Sequence, residues 1–151
     1  MIVGFQFLAV LCCALFAGAA IYINLVEHPA RMGCDTKTAA TVWAPSYERA
    51  TVMQAPLAAL SFLAGVGAWL FAGGILWLIG AVLIGLVIPF TFIGVMPTNH
   101  QLLAPGRDLS SIETRSLLVK WGRLHAVRSV LSLLASIVYL VSLFGSLQRA
   151  S

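Results

Sequence analysis

Polar side chains recur along one face of the last apolar stretch of the chain, and their types could carry acid–base chemistry. The face begins at Trp121, and His125 and Arg128 follow at spacings of four and three residues. On a helix these spacings place side chains on one face. A titratable histidine and a permanently charged arginine are costly toward lipid, so we expect both to point inward. The same face continues with Ser132, Ser136 and Tyr139.

Two other polar stretches are expected to meet this face. Asn24, Glu27 and His28 end the first apolar stretch, and Thr98 and Asn99 end the third. The first three share one helical stripe with Arg31 if the helix continues past the proline after His28. A residue before a proline is pushed away from the helical region, so the helix could also end or kink there.

The composition indicates which class of protein must position these residues. Of 151 residues, 60% are hydrophobic and 9% are charged, and the mean hydropathy is +0.97. Soluble domains use about 25% charged residues, so this is an integral membrane protein. A membrane-spanning helix needs about 20 apolar residues, and such stretches lie at about 2–26, 53–72, 75–96 and 124–144. We expect a single all-α domain, an up-down four-helix bundle whose third helix is kinked at Pro89.

The charges predict how the bundle sits in the membrane. The nine basic and five acidic residues, except Arg149, all lie at 27–53 or 96–128. An up-down bundle puts both segments on one side, and the positive-inside rule makes that side cytoplasmic and both termini external. Arg115, Lys120 and Arg123 are expected to contact lipid headgroups. The net charge of +4 therefore does not indicate a nucleic-acid partner.

The segment before the second apolar stretch carries aromatic side chains. Trp43, Tyr47 and a break at Pro45 favour an interfacial segment with its rings at headgroup depth. The alternative is a lid over the mouth of the bundle. Asp35 is expected to cap the start of a short helix, and Gln54 lies close enough to the charged end to donate a hydrogen bond to a site.

The polar cluster predicted at this mouth has three interpretations. Buried ionisable groups must be paired, so Glu27 is expected to pair with Arg128 or His125 and lock the helices. A polar cluster in so apolar a bundle is also, by default, a functional site. Glu27, His28 and His125 would suit non-haem iron. Neighbouring helical residues diverge by about 100°, so Glu27 and His28 cannot easily bind the same ion. No metal or other cofactor is therefore predicted.

Short motifs distributed along the chain resemble one known family. The motifs are Asn24-x-x-Glu27-His28-Pro29, Trp43 with Pro45-x-Tyr47, Pro89-Phe90-Thr91 through Pro97-Thr98-Asn99, and Trp121-x-x-Leu124-His125-x-x-Arg128. In order and spacing they resemble the anthrone oxygenase family (DUF1772) of small four-span membrane proteins. The resemblance implies a membrane four-helix bundle. Because this short chain resembles the bacterial members more than the fungal ones, the resemblance also implies a location in the bacterial inner membrane.

The resemblance also implies a chemistry for the cluster, because fungal members oxidise polyketide anthrones to anthraquinones with molecular oxygen. His125 or His28 is expected to be the general base, with Glu27 as a partner. Arg128 and Asn99 are expected to stabilise the oxyanion. The enolate can then react with oxygen without a cofactor.

Substrate contacts are expected from residues around the same mouth. They are Asn24, Trp43, Tyr47, Gln54, Thr98 and Trp121. The expected substrate is a flat apolar molecule, anthrone-like or phenolic, that enters from the lipid bilayer. The alternative is a non-enzymatic membrane protein, an accessory subunit or ligand-binding carrier, in which the polar cluster is structural.

Overall fold

Four long helices make up the described part of the chain. The structure is a computed structural model and describes residues 2–148, so Arg149 lies outside it. The helices are α1 (Ile2–Met32), α2 (Thr36–Ala72), α3 (Ile75–Leu102) and α4 (Ile112–Gln148), each long and apolar enough to cross a membrane. Helices α1 and α3 each pack against α2 and α4, and residues 2–148 contain no strand. The expected all-α four-helix bundle is confirmed.

The helices continue beyond their apolar stretches, mainly at the end where residues 33–35 and 103–111 connect them. We call this the loop end. Helices α2 and α4 each have 37 residues, which corresponds to about 55 Å. The hydrocarbon core of a bilayer is only about 30 Å thick. The polar residues at the loop end are therefore held on rigid helices rather than on loops.

Helix α2 begins at a capped turn and does not break. The Asp35 carboxylate accepts a hydrogen bond from the backbone N–H of Thr38 at 3.0 Å, as expected for an N-cap. The hydroxyl and N–H of Thr38 lower the pKa of Asp35. The cap therefore contributes stability above the ordinary carboxyl pKa, and the contribution is lost as the pH falls through the lowered value.

The prediction of a short helix interrupted at Pro45 is wrong. Helix α2 runs without interruption through Pro45 and Pro56. Each proline removes a backbone hydrogen bond, but most helical stability in proteins comes from tertiary packing. Here Trp43 and Gln54 are buried against the neighbouring helices, which holds α2 in one piece.

Helices α1 and α3 each contain one π-helical turn near the loop end. The turns are Ile23–Glu27 and Thr91–Val95, and in each the next backbone N–H bonds the carbonyl five residues back. The turn in α3 follows Pro89, which has no N–H to donate, and the expected kink at Pro89 stays a prediction. Isolated π turns are frequent at functional sites.

The π turn in α1 divides its polar stripe between two neighbours. The helix continues to Met32, so the expected end at His28 is not observed. Asn24 and His28 contact α4, whereas Glu27 and Arg31 contact α2. A single stripe in the sequence therefore becomes two separate sets of contacts.

Arg115 joins the start of α4 to the end of α1. Its guanidinium donates hydrogen bonds to the backbone carbonyls of Met32 and Cys34, the latter at 3.0 Å. These carbonyls are left free where α1 ends, and the expected contact of Arg115 with lipid headgroups stays a prediction. Lys120 and Arg123 are exposed, so the prediction stands for them.

A tyrosine from α4 fills the centre of the bundle. Tyr139 is fully buried, and its hydroxyl donates to the carbonyl oxygen of Ser61 at 3.2 Å. Gly65 of α2 and Gly80 of α3 leave room for the side chain. A Cβ atom at Gly80 would lie 2.5 Å from the tyrosine ring, closer than packed atoms approach.

We expect the substitution Gly80→Ala to destabilise the bundle. The buried ring cannot move aside, and overpacking of this kind costs about 1–3 kcal/mol. The thermal unfolding midpoint of the detergent-solubilised protein measures the effect. The matched control is Gly18→Ala on α1, where an added Cβ meets nothing within 4 Å. Equal midpoints for the two variants would contradict tight packing around Tyr139.

Candidate functional site

Polar side chains from α1, α2 and α4 surround a small cavity at the loop end. Its polar lining consists of Arg31, Ser46, Tyr47, Thr51, Gln54, His125 and Arg128. The cavity measures about 10 Å³, which is room for about one water molecule. Of the expected site residues, the structure brings Tyr47, Gln54, Trp121, His125 and Arg128 to this cavity.

The hydrogen bonds of Asn24 define the orientation of its amide. Its side chain lies 3.0 Å from the carbonyl oxygen of Gly122. A carbonyl only accepts, so this end of the amide must be the NH₂ group. The opposite end, Oδ1, therefore faces α4, where it lies 2.6 Å from Ser129 Oγ and 2.6 Å from His125 Nδ1.

The same amide determines which nitrogen of His125 carries the proton. Asn24 Oδ1 can only accept a hydrogen bond, so a neutral His125 ring must be protonated at Nδ1. Its other nitrogen, Nε2, then keeps its lone pair and is the basic atom of the ring. His125 is 1% exposed and lines the cavity. Asn24, expected to contact substrate, thus orients the histidine.

Arg128 is a positive charge held inside the bundle without a carboxylate. Its Nη2 donates to Gln54 Oε1 at 2.8 Å, and its guanidinium carbon lies 5.5 Å from the centre of the Phe16 ring. Its Nε is buried without a hydrogen-bond partner, and no carboxylate among residues 2–148 pairs with it. Buried charges are normally paired, so this site favours a ligand that brings negative charge.

Glu27 is paired within its own helix and not across the bundle. Its carboxylate accepts hydrogen bonds from Arg31 and from Ser46 of α2. Arg31 also donates to Ser46 at 3.1 Å, so the three side chains form a closed triangle. The expected pairs of Glu27 with Arg128 or His125 are wrong. Arg31 lies one turn away on the same helix, and the π turn directs Glu27 toward α2.

Aromatic rings form a continuous stack beside His125. Trp43 stacks on Tyr47 with 5.2 Å between ring centres, and it meets the edge of Trp121 at 5.8 Å. Trp121 in turn lies 4.9 Å from His125 and 5.3 Å from His28. Trp43 is 1% exposed, so its interpretation as a headgroup-level residue is wrong. The stack holds the His125 ring in one orientation.

The expected residues of α3 lie outside the cavity. Thr98 and Asn99 are completely buried but do not line it. The Asn99 amide contacts Met96 Sδ at 3.8 Å, and the Tyr47 hydroxyl approaches the same sulfur at 3.6 Å. Helix α3 thus supports Tyr47 and supplies no group to the closed cavity. His28 likewise packs behind Trp121 and does not line it.

The residues around the cavity carry more hydrogen-bond donors than acceptors. Buried nitrogen atoms without a partner occur on Arg31, Gln54, Trp121 and Arg128, and all four residues line the cavity. An unsatisfied buried donor costs about 1–3 kcal/mol. A ligand with several oxygen acceptors, and preferably a negative charge, would therefore complement the site.

The side chains considered for non-haem iron have other partners in the structure. Residues 2–148 contain no group of three or more His, Cys, Asp or Glu side chains that could hold a metal ion. Nδ1 of His125 is engaged by Asn24, and Glu27 is engaged by Arg31 and Ser46.

Sequence analysis missed three members of the site. Ser129 lies four residues after His125, so helical spacing could have identified it. Arg31 belongs to the polar stripe of α1 and could also have been found. Ser46 gave no signal, because it lies beside Pro45 in the segment interpreted as interfacial.

The fold and the site define an integral membrane four-helix protein with a buried cationic site next to an oriented histidine. The profile of the anthrone oxygenase family matches residues 43–138, more than half of the chain. The chain belongs to this family, which confirms the resemblance seen in its motifs. The matched range includes Tyr47, Gln54, His125 and Arg128 of the cavity.

Among curated proteins, the chain is similar to the anthrone oxygenase tpcL of Aspergillus fumigatus. The two are 37% identical over 68 residues, which cover 43% of this chain and 42% of the fungal protein. The chain thus matches less than half of the length of that relative. No solved structure matches the chain.

Proposed function

We propose that the protein is a membrane oxygenase that uses O₂ to convert the acidic CH₂ group of a flat, anthrone-like or phenolic substrate into a carbonyl. His125 is the general base in this proposal. The observation that carries it is the hydrogen bond from His125 Nδ1 to Asn24 Oδ1, which leaves Nε2 as the basic atom of a ring that lines the same cavity as the unpaired charge of Arg128.

The first step removes a proton from the substrate. The CH₂ group of an anthrone is conjugated with a carbonyl, so loss of a proton gives an aromatic oxyanion. Nε2 of His125 takes this proton, a role that contributes about 10²–10⁴-fold to rate in enzymes. The guanidinium of Arg128 stabilises the oxyanion where the charge develops.

The later steps need no reductant. The anion gives one electron to O₂, and the two radicals combine to form a C–O bond, which yields a hydroperoxide once the His125 proton returns. His125 then removes the second proton from the same carbon, the O–O bond breaks, and hydroxide leaves as water. In sum, CH₂ and O₂ become C=O and H₂O. The substrate supplies all four electrons, so the proposal requires no cofactor.

Oxygen uptake in lipid nanodiscs tests the proposal. With anthrone as substrate, we expect one O₂ consumed per anthrone at a rate above that of empty nanodiscs, and ¹⁸O from labelled O₂ in the new carbonyl. We also expect a chelator to leave this rate unchanged. Uptake no faster than in empty nanodiscs would overturn the proposed activity. Loss of uptake on chelation, restored by a metal, would overturn the cofactor-free chemistry.

The second candidate function is ligand binding without turnover, as an accessory subunit or carrier. The same unpaired Arg128 favours it, because an arginine without a carboxylate attracts an anionic ligand whether or not the ligand reacts. Saturable binding of anthraquinone without anthrone-dependent oxygen uptake would support this candidate over the oxygenase.

The proposal includes an orientation in the bacterial inner membrane, with the loop end cytoplasmic and both termini external. Cys34 is exposed at the loop end, whereas Cys12 and Cys13 are buried. We expect a membrane-impermeant maleimide to label Cys34 only after the cells are permeabilised. The control is Ala72→Cys in a Cys34→Ser background, at the exposed opposite end, which should be labelled in intact cells. The reverse pattern would invert the orientation.

A further inference from the structure

A surface groove runs between α1 and α2 at the loop end. Its volume is about 500 Å³, within the range of about 300–1,000 Å³ typical of small-molecule sites. Tyr22 and Glu27 line it from α1, and Val42, Arg49 and Met53 line it from α2. Tyr22, Val42 and Met53 are 56%, 50% and 48% exposed. The groove is thus open along the side of the bundle.

The groove and the inner cavity share one wall. Ile23, Ser46 and Ala50 line both spaces. Glu27 lines only the groove and Arg31 lines only the cavity, and Ser46 bonds to both. The triangle of Glu27, Arg31 and Ser46 is therefore the polar part of the partition between them, and Ile23 and Ala50 are its apolar part.

We propose that this groove is the vestibule of the site: a flat apolar molecule dissolved in the bilayer binds there and passes to the cavity when the triangle opens. The inference rests on the proposed function, because it takes the substrate of that reaction as the occupant. The cavity of about 10 Å³ cannot hold such a molecule without this rearrangement, whereas the groove can.

The route from the loop end is closed. A cluster of buried side chains fills that end of the bundle, including Ala39, Trp43, Leu102, Leu118 and Trp121. Tight apolar packing of this kind is costly to open. A substrate approaching from the aqueous side would have to disrupt this cluster, whereas one approaching from lipid meets the polar triangle and the side chains of Ile23 and Ala50.

The local backbone and chemistry make the triangle easier to open. Glu27 ends the π turn of α1, and Ser46 follows Pro45 in α2, which removes a helical hydrogen bond. Arg31 also has two buried nitrogen atoms without a partner. An oxygen atom of the substrate can therefore replace Ser46 as the acceptor of the Arg31 hydrogen bond.

Photolabelling tests the vestibule directly. The probe is a diazirine-bearing anthraquinone, added to the full chain in phosphatidylcholine nanodiscs, and labelled residues are located by mass spectrometry. Unlabelled anthraquinone in excess separates binding at a site from contact with probe in the lipid. We expect labelling of Tyr22, Val42 and Met53 that the competitor suppresses. Competable labelling that is absent from the groove would overturn the proposal.

Filling the groove gives a second test with a matched control. Val42→Trp should lower competable labelling by about tenfold, equivalent to about 1.4 kcal/mol of binding free energy, and should raise KM more than it lowers kcat. Leu60→Trp is the control, because Leu60 is 46% exposed on the same helix but lies outside the groove. Equal labelling of both variants would overturn the vestibule.

Opening the partition gives a third test. Ser46→Ala removes the link between α1 and α2 but keeps the pair of Arg31 with Glu27, so we expect faster labelling of Gln54 inside the cavity. Slower or unchanged labelling would argue against a gate. Oxygen uptake without competable groove labelling would overturn the vestibule alone. Groove labelling without oxygen uptake would overturn the proposed oxygenase and leave the groove as a ligand site.

Discussion

Replacing His125 by alanine is expected to reduce anthrone-dependent oxygen consumption by about 10²–10⁴-fold, the usual contribution of a general base. The reason is geometric, because Asn24 accepts from Nδ1 and leaves Nε2 as the basic atom of the ring. The measurement is kcat in nanodiscs, corrected for the oxidation of anthrone in empty nanodiscs. Turnover of the variant at the wild-type rate would remove His125 as the base.

Two further variants separate the role of the base from general damage to the bundle. His100→Ala is the matched control, because His100 is exposed on α3 and should leave kcat unchanged. Asn24→Leu removes the acceptor that holds the proton on His125 Nδ1, and should lower kcat. Asn24→Asp keeps an acceptor oxygen and should restore part of the lost rate. A positioning role predicts this recovery, whereas a purely structural role does not.

The alternative base, His28, is expected to behave differently. Its ring contacts Trp121 and packs against Gly122, where an added Cβ would collide with it. His28 does not line the cavity. Replacing it by alanine removes buried packing, so we expect a lower unfolding midpoint and a kcat close to that of the wild type. The opposite result would move the proposed base from His125 to His28.

Replacing Arg128 by methionine is expected to abolish most activity without destabilising the bundle. Loss of one oxyanion-stabilising donor costs about 10²–10³-fold in enzymes. Arg128 has no carboxylate partner among residues 2–148, so its removal leaves no counter-charge buried, and replacing a buried charge by an apolar side chain is often neutral or stabilising. The test is to measure kcat/KM and the unfolding midpoint of the Arg128→Met variant on the same preparation.

The controls for this prediction keep the helix and change one property at a time. Arg123→Met removes an exposed charge five residues earlier on α4 and should leave both measurements unchanged. Arg128→Lys keeps the charge but loses the planar set of donors, so we expect an intermediate rate. A fall in the unfolding midpoint that accounts for the lost activity would show that Arg128 is structural.

The sequence alone was sufficient for the class of protein, the four helices and the polar face of α4. Trp121, His125, Arg128, Ser132, Ser136 and Tyr139 were expected on one inward face, and all are buried except Arg128, which is half-buried. These predictions hold because lipid imposes one strong rule, which sends polar side chains toward the interior. The rule depends only on residue type and helical period.

The choice of partners was decided by the tertiary structure. Glu27 bonds Arg31 and Ser46 rather than Arg128 or His125, because the π turn changes which neighbour each residue of α1 faces. Helix α2 continues through Pro45 because packing outweighs the local penalty. A hydrogen bond requires agreement within fractions of an ångström, and residue spacing along the chain does not specify position that finely.

The cavity and the groove are also products of the tertiary structure. Each is space left between helices, so its size depends on how closely α1, α2 and α4 approach one another. Ser46 faces both spaces, although no motif in the sequence distinguishes it. The sequence determines which side chains must avoid lipid, and the packing of the helices determines which of them meet and what molecule can reach them.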